Sequence, residues 1–373
     1  MLVTFRLSAL GFGGTERVFL SVADFLSTSC GCQINFVVDK ISGHETEQIA
    51  LTKGYEVIGL NASRTWKTIV PFAKYLKMKK PDIVLSAYTE TNAAALISNA
   101  INRFRAPIVV TEHASLDDNW RNRSSLQRVA LELMVRYVYK FADHVLCVSR
   151  GVAEQLAERL THAHISYIHN PARFTQRVRP QKEARLVLGI DPEISMILAV
   201  GRICKHKNYL MLLQAFKNLQ TTDSPVLYIV GGVHEADEKA RIDKFIAEHD
   251  LGGRVQFVDF TEDVQVYYEA ADLLALSSTS EGFGNVLVEA LAFGLPVVSS
   301  RCKFGPAEIL EDGKFGVLVE VDDFAAMSKA IHQVLEQNPF DPQRQIQRAE
   351  SFSERRIGEQ YYQLICATSG RAA

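Results

Sequence analysis

The sequence contains few cysteines and no long hydrophobic run. Its cysteines lie at positions 30, 32, 147, 204, 302 and 366, and the single C-x-C pair lacks the second ligand pair that a zinc site needs. We therefore expect reduced, mainly structural thiols, as in cytoplasmic proteins. No stretch approaches the roughly 18 to 20 apolar residues of a membrane span. The first residues also lack the basic start and apolar run of a signal peptide, so we expect no export.

Three catalytic motifs are missing as well. The sequence has no D-x-D metal motif, and its nearest pairs, Asp117-Asp118 and Asp322-Asp323, have the wrong spacing. It has no G-x-x-x-x-G-K-[ST] loop, which disfavours P-loop chemistry. It has no G-x-S-x-G elbow, which disfavours an α/β-hydrolase.

Length and composition indicate a soluble globular protein. A chain of 373 residues is too long for one ordinary core and predicts two domains. Hydrophobic residues make up 47% and charged residues 23%, which excludes a disordered protein, a coiled coil and a collagen-like fibre. The net charge of −2 gives no support for nucleic-acid binding.

Short apolar runs alternate with helical patterns along the whole chain. The candidate strands of the first half are Val3–Leu7, Ile34–Val38, Val57–Leu60, Ile83–Ser86, Ile108–Thr111, His144–Val148 and Ile165–Ile168. Those of the second half are Met196–Val200, Val226–Val230, Val255–Val258, Leu273–Leu276, Pro296–Ser299 and Gly316–Val319, with helices near 208–220, 235–249, 262–270, 285–293 and 322–336. Continuous apolar strands separated by helices predict parallel sheets covered on both faces. The predicted fold class is α/β, with two Rossmann-like, doubly wound parallel-sheet domains.

The boundary between the two domains is visible in the sequence. The Asn170-Pro171 pair closes the seventh predicted strand, and residues 172–194 are polar, basic and mostly without periodicity. We therefore predict an N-terminal domain over 1–171 and a C-terminal domain over 172–352. Residues 352–366 read as a last amphipathic helix with no strand after it. We expect this final segment, 353–373, to pack back towards the N-terminal domain.

Charge is shared unevenly between the two halves. Residues 1–170 carry 19 Lys and Arg against 15 Asp and Glu, and the rest of the chain carries 22 against 28. The basic clusters are Lys74, Lys77, Lys79 and Lys80; Arg103 and Arg105; and Arg121, Arg123, Arg128, Arg136 and Lys140. The last cluster is interleaved with Leu126, Val129, Leu133, Val135 and Tyr137. Such a helix can lie on an anionic membrane surface, but an ordinary solvated helix face gives the same pattern.

Ligands of open parallel sheets bind beyond the carboxyl ends of the strands. The first loop with unusual residues at such a strand end is Gly11–Arg17, after the first predicted strand. Its glycines and the following helix start suit a phosphate group. The loop is similar to the dinucleotide fingerprint G-x-G-x-x-G, with Asp39 at a plausible distance, but Glu16 replaces the third glycine. A nicotinamide-dependent oxidoreductase and a tight turn without a ligand are therefore the alternatives.

The second loop, Gly201–Asn208, gathers cations directly after strand Met196–Val200. Arg202 and Lys207 can neutralise a diphosphate, Arg202 through its planar fork and Lys207 as a point charge. A solvated basic loop is the alternative.

Two further loops carry acidic or titratable residues. Glu289 lies on a nearly apolar helix, where an unpaired carboxylate is costly to bury, so we expect it to pair with ligand hydroxyls or with an internal arginine. Glu281 lies just before this helix, near the N–H groups of Gly284 and Asn285. His113 follows strand Ile108–Thr111 and is either a hydrogen-bonded core histidine or one that contacts a sugar or handles a proton.

The chain resembles the retaining glycosyltransferases of family 4 over nearly its whole length. The motifs that carry the resemblance are Gly13-Gly14-Thr15-Glu16, Gly201-Arg202 with Lys207-Asn208, Glu281-Gly282-Phe283-Gly284 with Glu289 (the E-x7-E pattern), and Gly305-Pro306-Ala307-Glu308. The sequence departs from the family pattern at Thr15, where alanine is commoner, and at Pro171-Ala172, where Gly-Val is frequent. The resemblance implies the GT-B fold, in which the two domains face a cleft.

The resemblance also implies site residues, with the acceptor bound by the N-terminal domain and a nucleotide-sugar donor by the C-terminal domain. The implied donor-binding residues are Gly13, Gly14, Arg202, Lys207, Glu281, Phe283, Gly284, Asn285 and Glu289. The implied catalytic residues are His113, Glu281, Arg202 and Lys207, with no metal and no other cofactor.

These observations lead to one hypothesis with open alternatives. We expect a cytoplasmic, metal-independent, retaining hexosyltransferase that uses a nucleotide-sugar donor, with UDP favoured, and a lipid-linked or surface-glycan acceptor. Peripheral attachment to the inner face of an anionic membrane is an option that the basic N-terminal domain leaves open, and no nucleic acid is expected as a partner. A nucleotide-sugar 2-epimerase of the same fold and a non-catalytic sugar-binding protein are the alternatives.

Overall fold

The computed structural model describes residues 1–11, 13–120, 123–160, 164–172, 178–220, 224–261 and 263–371. The chain divides into two compact units, one formed by Met1–Pro171 with Glu354–Ala373 and the other by Ala172–Ser353. Three features that the sequence singled out lie outside the described residues: Phe12 of the first loop, Arg121 of the basic segment, and 173–177 of the basic linker. No helix in the described part of the chain is both long enough and apolar enough to cross a bilayer.

The first unit is built on a parallel sheet. Within the described residues its strands run in the order β3-β2-β1-β4-β5-β6-β7. They are β1 (Leu2–Arg6), β2 (Gln33–Val38), β3 (Glu56–Gly59), β4 (Ile83–Ala87), β5 (Ile108–Glu112), β6 (His144–Cys147) and β7 (Ile165–Tyr167). β1, β4 and β5 are buried over almost their whole length, which is why they read as continuous apolar runs.

Helices connect these strands and cover the sheet. They are α1 (Gly14–Cys30), α2 (Glu45–Thr52), α3 (Ile69–Lys79), α4 (Thr89–Ile101), α5 (Leu116–Asn119), α6 (Ser125–Val138) and α7 (Arg150–Ala157). The apolar spacing of α1 predicts one buried face, and Val18, Val22 and Leu26 are indeed buried. The helix ends at Gly31, whose φ of 63° is the left-handed conformation that glycine adopts without steric cost.

The last helix of the chain belongs to the first unit. This helix is α16 (Glu354–Ser369). The helices of the second unit, from α8 (Gln181–Val187) to α15 (Pro342–Ala349), come before it in the chain. Its residues Ile357, Tyr361 and Ile365 are buried in the same core as β1 and α1. Gly358 permits this close packing, because a Cβ there would lie 2.3 Å from the ring of Phe25.

The second unit repeats the architecture. Its strands, within the described residues, run in the order β10-β9-β8-β11-β12-β13 and are all parallel. They are β8 (Met196–Val200), β9 (Val226–Val230), β10 (Val255–Val258), β11 (Leu273–Leu276), β12 (Val297–Ser300) and β13 (Val317–Val319). The remaining helices are α9 (Tyr209–Lys217), α10 (Ala236–Glu248), α11 (Gln265–Ala270), α12 (Asn285–Ala292), α13 (Pro306–Ile309) and α14 (Phe324–Gln337).

The sequence-based prediction of this half missed three helices, of which α13 is a single turn (Pro306–Ile309). α8 lies inside the segment 172–194, where only seven residues keep a helical pattern, and α15 follows the last predicted helix. In α8, Ala184 and Arg185 are buried, and the Arg185 guanidinium donates to Ala270 O and forms an ion pair with Asp272. The helix is therefore fixed by tertiary contacts to α11 and β11 rather than by an apolar stripe of its own.

Each sheet has one place where the strand order reverses, which is where ligands of doubly wound folds bind. In the second unit the reversal lies between β8 and β11, so the loops that follow these two strands meet there. In the first unit the reversal lies between β1 and β4, beside the end of β5. The loops with unusual residues all lie at these strand ends.

Candidate active site

The loops after β8 and β11 of the second unit are tied together by hydrogen bonds. Residues Lys205–Lys207 form a short 3-10 turn. Ser277 Oγ donates to the carbonyl of Lys207 over 2.8 Å, and Thr279 N donates to the carbonyl of His206 over 2.8 Å. The serine-rich end of β11 therefore positions the basic loop, because its hydroxyl and amide groups bind the backbone of the turn.

Lys207 and Glu281 form an ion pair at this point. Lys207 Nζ lies 2.7 Å from Glu281 Oε1, and the two side chains are only 13% and 12% exposed. Ser278 Oγ donates to the same carboxylate oxygen over 2.6 Å. Burial raises the pKa of Glu281, but the charge and hydrogen bond of Lys207 outweigh it, so the pKa lies below its ordinary value. The Glu281 carboxylate is therefore ionised near pH 7 and is held in place by Lys207 and Ser278.

Arg202 differs from Lys207 in its surroundings. It is exposed, and within the described residues its guanidinium forms no hydrogen bond or ion pair. Its charge affects the neighbouring His206. Burial lowers the pKa of His206, and the positive charges of Lys207 and Arg202 lower that pKa further. The loop therefore places one compensated and one uncompensated cation beside the strand reversal.

Two glycines make the close approaches of this site possible. Gly231 follows β9 and has φ 151°, and a Cβ there would lie 2.3 Å from the carbonyl oxygen of Gly201. Gly305 has φ 83°, and a Cβ there would lie 1.7 Å from the carbonyl oxygen of Phe283. Because the opposing atoms are backbone, only glycine fits at either position.

Glu289 lies one helix turn or more inside α12 and is half-buried. Tyr268 Oη donates to Glu289 Oε2 over 2.6 Å. The tyrosine comes from α11 and stacks on Phe293, with ring centroids 5.4 Å apart. This buried tyrosine is a partner of Glu289 that sequence reasoning missed, because nothing in the spacing links residues 268 and 289.

The turn between Glu281 and α12 is formed by Phe283 and Gly284. Phe283 is 2% exposed and meets Phe352 edge to face. Gly284 has φ 102°, and α12 begins at the next residue, Asn285. The Phe283 side chain is thus an anchor in the core, so any ligand contact at this position would have to come from its backbone.

In the first unit, Gly13 and Gly14 stand at the start of α1. A Cβ at Gly13 would lie 2.2 Å from Glu16 Oε2, and Tyr88 Oη donates to Glu16 Oε1 over 2.6 Å. The Glu16 side chain therefore folds back over Gly13. Since Glu16 stands where the dinucleotide fingerprint needs a third glycine for close packing of helix on strand, the fingerprint is incomplete.

Asp39, the supposed ribose ligand of that fingerprint, is engaged within the protein. Its carboxylate forms an ion pair with the fully buried Arg6 and accepts a hydrogen bond from Thr65 Oγ1 over 2.8 Å. Both oxygens are therefore occupied, which disfavours the nicotinamide alternative.

His113 follows β5 and packs against the edge of Phe19, with ring centroids 5.5 Å apart. Its Nε2 lies 3.0 Å from Thr111 Oγ1, and its enclosed Nδ1 has no hydrogen-bond partner among the described residues. Burial lowers the pKa of His113 to about 3. The imidazole is therefore neutral near pH 7 and can donate or accept a hydrogen bond, but it does not supply a positive charge.

Its neighbour Glu112 is a buried titratable residue that the sequence analysis did not single out. The carboxyl group is fully enclosed, accepts a hydrogen bond from Tyr139 Oη, and lies 3.3 Å from Asn92 Nδ2. Burial raises the pKa of Glu112 to about 7, although these hydrogen bonds act against the rise. An acidic residue at the last position of a buried strand is the only sequence signal that could have indicated it.

The first unit also contains a cavity of about 680 Å³. It lies at the carboxyl ends of β1 and β4, and its lining includes Ser8, Arg64, Trp66, Tyr88, Arg123 and Gln127. Arg123 is paired with Glu90 over 2.9 Å. Arginines, a tryptophan and polar side chains around such a volume can bind a carbohydrate or an anionic group.

Within the part of the chain that the structure describes, no group of three or more His, Cys, Asp or Glu side chains is arranged to hold a metal ion.

Comparison with protein families decides the class of this site. Residues 12–173 match the family described as "Glycosyltransferase Family 4", and residues 180–352 match "Glycosyl transferases group 1". The chain belongs to the family 4 glycosyltransferases. The two matches divide the chain between its two sheets, and the second spans Arg202, Lys207, Glu281 and Glu289.

Named relatives of this family 4 enzyme are glycosyltransferases. It is 26% identical, over 98% of both chains, to the "GalNAc-alpha-(1->4)-GalNAc-alpha-(1->3)-diNAcBac-PP-undecaprenol alpha-1,4-N-acetyl-D-galactosaminyltransferase" of Campylobacter jejuni. It is 25% identical, over 84% of both chains, to the lipopolysaccharide 1,6-galactosyltransferase of Salmonella typhimurium. The prediction of a glycosyltransferase is therefore confirmed.

Solved structures confirm the predicted GT-B fold. The lipopolysaccharide outer core galactosyltransferase WaaB in its apo form matches 98% of this chain and 99% of its own, with a TM-score of 0.77 and 22% identity. The Anabaena protein Alr3699/HepE in complex with UDP-glucose matches 98% and 100%, with a TM-score of 0.82 and 18% identity. At these identities the likeness concerns the fold alone.

Proposed function

We propose that this family 4 enzyme transfers a hexose-type sugar from a UDP-sugar to a lipid-linked or surface-glycan acceptor, with retention of anomeric configuration and without a metal ion. The observation that carries the proposal is the fixed Lys207–Glu281 pair beside the uncompensated charge of Arg202 at the strand reversal of the second domain. The Campylobacter relative named above acts on an undecaprenol-linked glycan, which supports a lipid-linked acceptor.

Each candidate residue of the second domain has a role in this proposal. Arg202 and Lys207 neutralise the charge that grows on the diphosphate as the donor breaks, aided by the positive end of the α12 dipole. Glu281 contacts the donor sugar, with the Phe283-Gly284 backbone and Asn285 beside it. Glu289 accepts hydrogen bonds from the ribose hydroxyls. The base binds to backbone groups around Phe257–Thr261.

In the first domain, we assign donor contacts to Gly13 and Gly14 and a contact near the reacting carbon to His113. Since His113 is neutral near pH 7, it acts as a hydrogen-bond partner of the sugar. In the reaction, the bond between the anomeric carbon and the diphosphate breaks and the acceptor oxygen bonds to the same face of that carbon. The acceptor proton passes to the departing phosphate oxygen. The cavity of the first domain is the proposed acceptor pocket.

A thermal-shift screen with nucleoside diphosphates and their sugars tests the donor assignment, because a ligand that binds only the folded form raises the melting temperature. UDP should raise it more than GDP. Lys207→Ala should lower turnover by about 10²–10³-fold, the usual effect of losing one charge-stabilising group. Lys205→Ala is the matched control, since this exposed neighbour has no assigned role and should keep normal turnover. Equal rates for Lys207→Ala and the wild type would contradict the proposal.

Analysis of the reaction product and of its rate tests the retention of anomeric configuration and the independence from metal ions. NMR of the product should show the anomeric configuration of the donor, and EDTA should leave the rate unchanged. An epimerase would release a free sugar or an epimer without any acceptor, whereas a sugar-binding protein would turn over no donor. The first result would identify the protein as an epimerase, and the second as a sugar-binding protein; either would contradict the proposed transferase.

A further inference from the structure

Helix α6 of the first domain exposes an apolar stripe. Leu126 is 84% exposed, Val129 58%, Leu133 48% and Tyr137 53%. These residues are spaced by three or four positions, so they lie on one side of the helix. Leu131 and Val135, on the opposite side, are buried. The helix therefore has a complete inward face of its own, and its outward apolar stripe is not needed for folding of the described chain.

The stripe continues onto a neighbouring loop. Phe141, just after α6, is half-exposed and stacks on the half-exposed Phe104, with ring centroids 5.7 Å apart. Ile101, at the end of α4, is also exposed. We call these residues the apolar surface: Ile101, Phe104, Leu126, Val129, Leu133, Tyr137 and Phe141. So many large apolar side chains in one region indicate an interaction site rather than single exposed residues.

Cations accompany the apolar surface. Arg103 and Arg105 flank Phe104 and are exposed, as are Arg136 and Lys140. The Arg136 guanidinium lies over the Tyr137 ring, 5.9 Å from its centroid, and Lys140 Nζ lies 5.1 Å from the centroid of the Phe141 ring. The one acidic residue inside α6, Glu132, is neutralised by Arg159 at 2.8 Å. Positive charge therefore surrounds the aromatic and aliphatic side chains.

We infer that the apolar surface docks on an anionic lipid bilayer, with Leu126, Val129, Leu133 and Tyr137 inserted among the lipids and Arg103, Arg105, Arg136 and Lys140 at the headgroups. Apolar side chains that alternate with cations on one helix face are typical of interfacial helices. A second protein surface would need a matching acidic rim, whereas anionic headgroups supply negative charge everywhere. This inference rests on the proposed function, because docking on a bilayer would give the enzyme access to a lipid-linked acceptor.

The same helix lines the cavity of the first domain. Gln127, Ala130, Leu131 and Met134 of α6 contribute to its wall. Docking of the stripe would place this wall next to the headgroups, which is where the glycan of a lipid-linked acceptor emerges from the bilayer. The surface and the cavity thus serve one substrate class.

Co-sedimentation of the full chain with vesicles tests the inference. Vesicles of phosphatidylcholine alone are compared with vesicles that contain phosphatidylglycerol. We expect binding to the anionic vesicles at low salt, release at high salt because the headgroup attraction is screened, and little binding to the neutral vesicles. Leu126→Glu/Leu133→Glu should lower the vesicle affinity about tenfold or more, and each of Arg136→Ala and Lys140→Ala by about fivefold.

Leu186→Glu/Val187→Glu is the matched control, because these two residues of α8 are 65% and 67% exposed and lie in the other domain. The control should bind vesicles like the wild type. No binding of the wild type to anionic vesicles, or equal losses in the α6 and α8 variants, would overturn the inference. A dimer that Leu126→Glu/Leu133→Glu dissociates, without vesicle binding, would make a second copy the occupant and would also overturn it.

The vesicle measurement does not depend on catalysis. Transfer to a short-chain, water-soluble acceptor analogue is measured in parallel, and the α6 variants should keep wild-type rates there. If the protein binds vesicles but transfers nothing, the proposed function fails and the docking surface stands. If it transfers sugar but ignores vesicles, the docking surface fails and the proposed function stands.

Discussion

Tyr268 fixes Glu289 through a hydrogen bond of 2.6 Å between its phenolic oxygen and Oε2. The tyrosine is 1% exposed and its pKa is raised well above the ordinary value, first by burial and then by the charge of Glu289. It therefore remains a hydrogen-bond donor at all working pH values. The carboxylate that we assign to the ribose hydroxyls is thus oriented by a residue from the preceding helix.

Tyr268→Phe should weaken UDP binding about tenfold while leaving the fold intact. The substitution keeps the ring that stacks on Phe293 but removes the donor to a charged acceptor, an interaction of about 1.5–3 kcal/mol. Titration calorimetry with UDP measures the loss. Tyr267→Phe is the control, because Tyr267 has the neighbouring position on α11. Glu289→Ala should weaken binding at least as much, and unchanged affinity in both Tyr268→Phe and Glu289→Ala would contradict the ribose assignment.

The Lys207–Glu281 pair should be visible as a coupling energy in protein stability. Lys207→Met leaves the buried Glu281 carboxylate without its cation, which typically costs about 3–5 kcal/mol. The double variant Lys207→Met/Glu281→Gln removes both charges and should cost less than the sum of the single variants. Calorimetric unfolding of the wild type, the two single variants and the double variant provides the free energies for this double-mutant cycle. Additive free-energy changes would mean that the two side chains do not interact in solution.

The same pair predicts a direction for the pH dependence. Because the folded pKa of Glu281 is lowered, its contribution to stability is present above the unfolded carboxyl pKa of about 4.3. That contribution is lost as the pH falls through the folded pKa. The stability difference between the wild type and Glu281→Gln should therefore shrink on acidification below about pH 4.

Glu112 predicts the opposite dependence in the first domain. Burial raises its folded pKa to about 7, so the folded state holds a proton that the unfolded state releases near pH 4.3. The wild type should therefore lose stability, relative to Glu112→Gln, as the pH rises from about 4.3 to 7. Both tryptophans, Trp66 and Trp120, lie in this domain, so their fluorescence reports its unfolding. A pH-independent difference between the two proteins would contradict the raised pKa.

Gly305→Ala should destabilise the second domain by more than about 3 kcal/mol, because the new Cβ meets a backbone oxygen that cannot move aside. The carbonyl oxygen of Phe283 would lie 1.7 Å from that Cβ. Gly253→Ala is the control, since a Cβ there has no neighbour within 4 Å. Calorimetric melting of both variants provides the comparison, and similar melting temperatures would mean that the 283–305 contact opens in solution.

The strands were predictable from the sequence because buried parallel strands are continuous apolar runs. Met196–Val200, Val226–Val230, Val255–Val258 and Leu273–Leu276 were predicted with the bounds that the structure gives them. The order of the loops along the chain also located Arg202, Lys207 and Glu281 at strand ends. Periodicity is a local property, and so is the chemistry of a loop residue, so neither requires the tertiary structure.

Which side chains meet is visible only in the folded chain. The Tyr268–Glu289 and Glu112–Tyr139 hydrogen bonds, the buried Arg6–Asp39 pair and the exposed stripe of α6 join or separate residues that are distant in sequence. Contacts of this kind follow from the order of strands in a sheet and from which helix face the core covers. Local patterns along the chain were thus enough to predict the fold class and the family, whereas packing sets which carboxylate is paired, which has a raised pKa, and which apolar residues face the solvent.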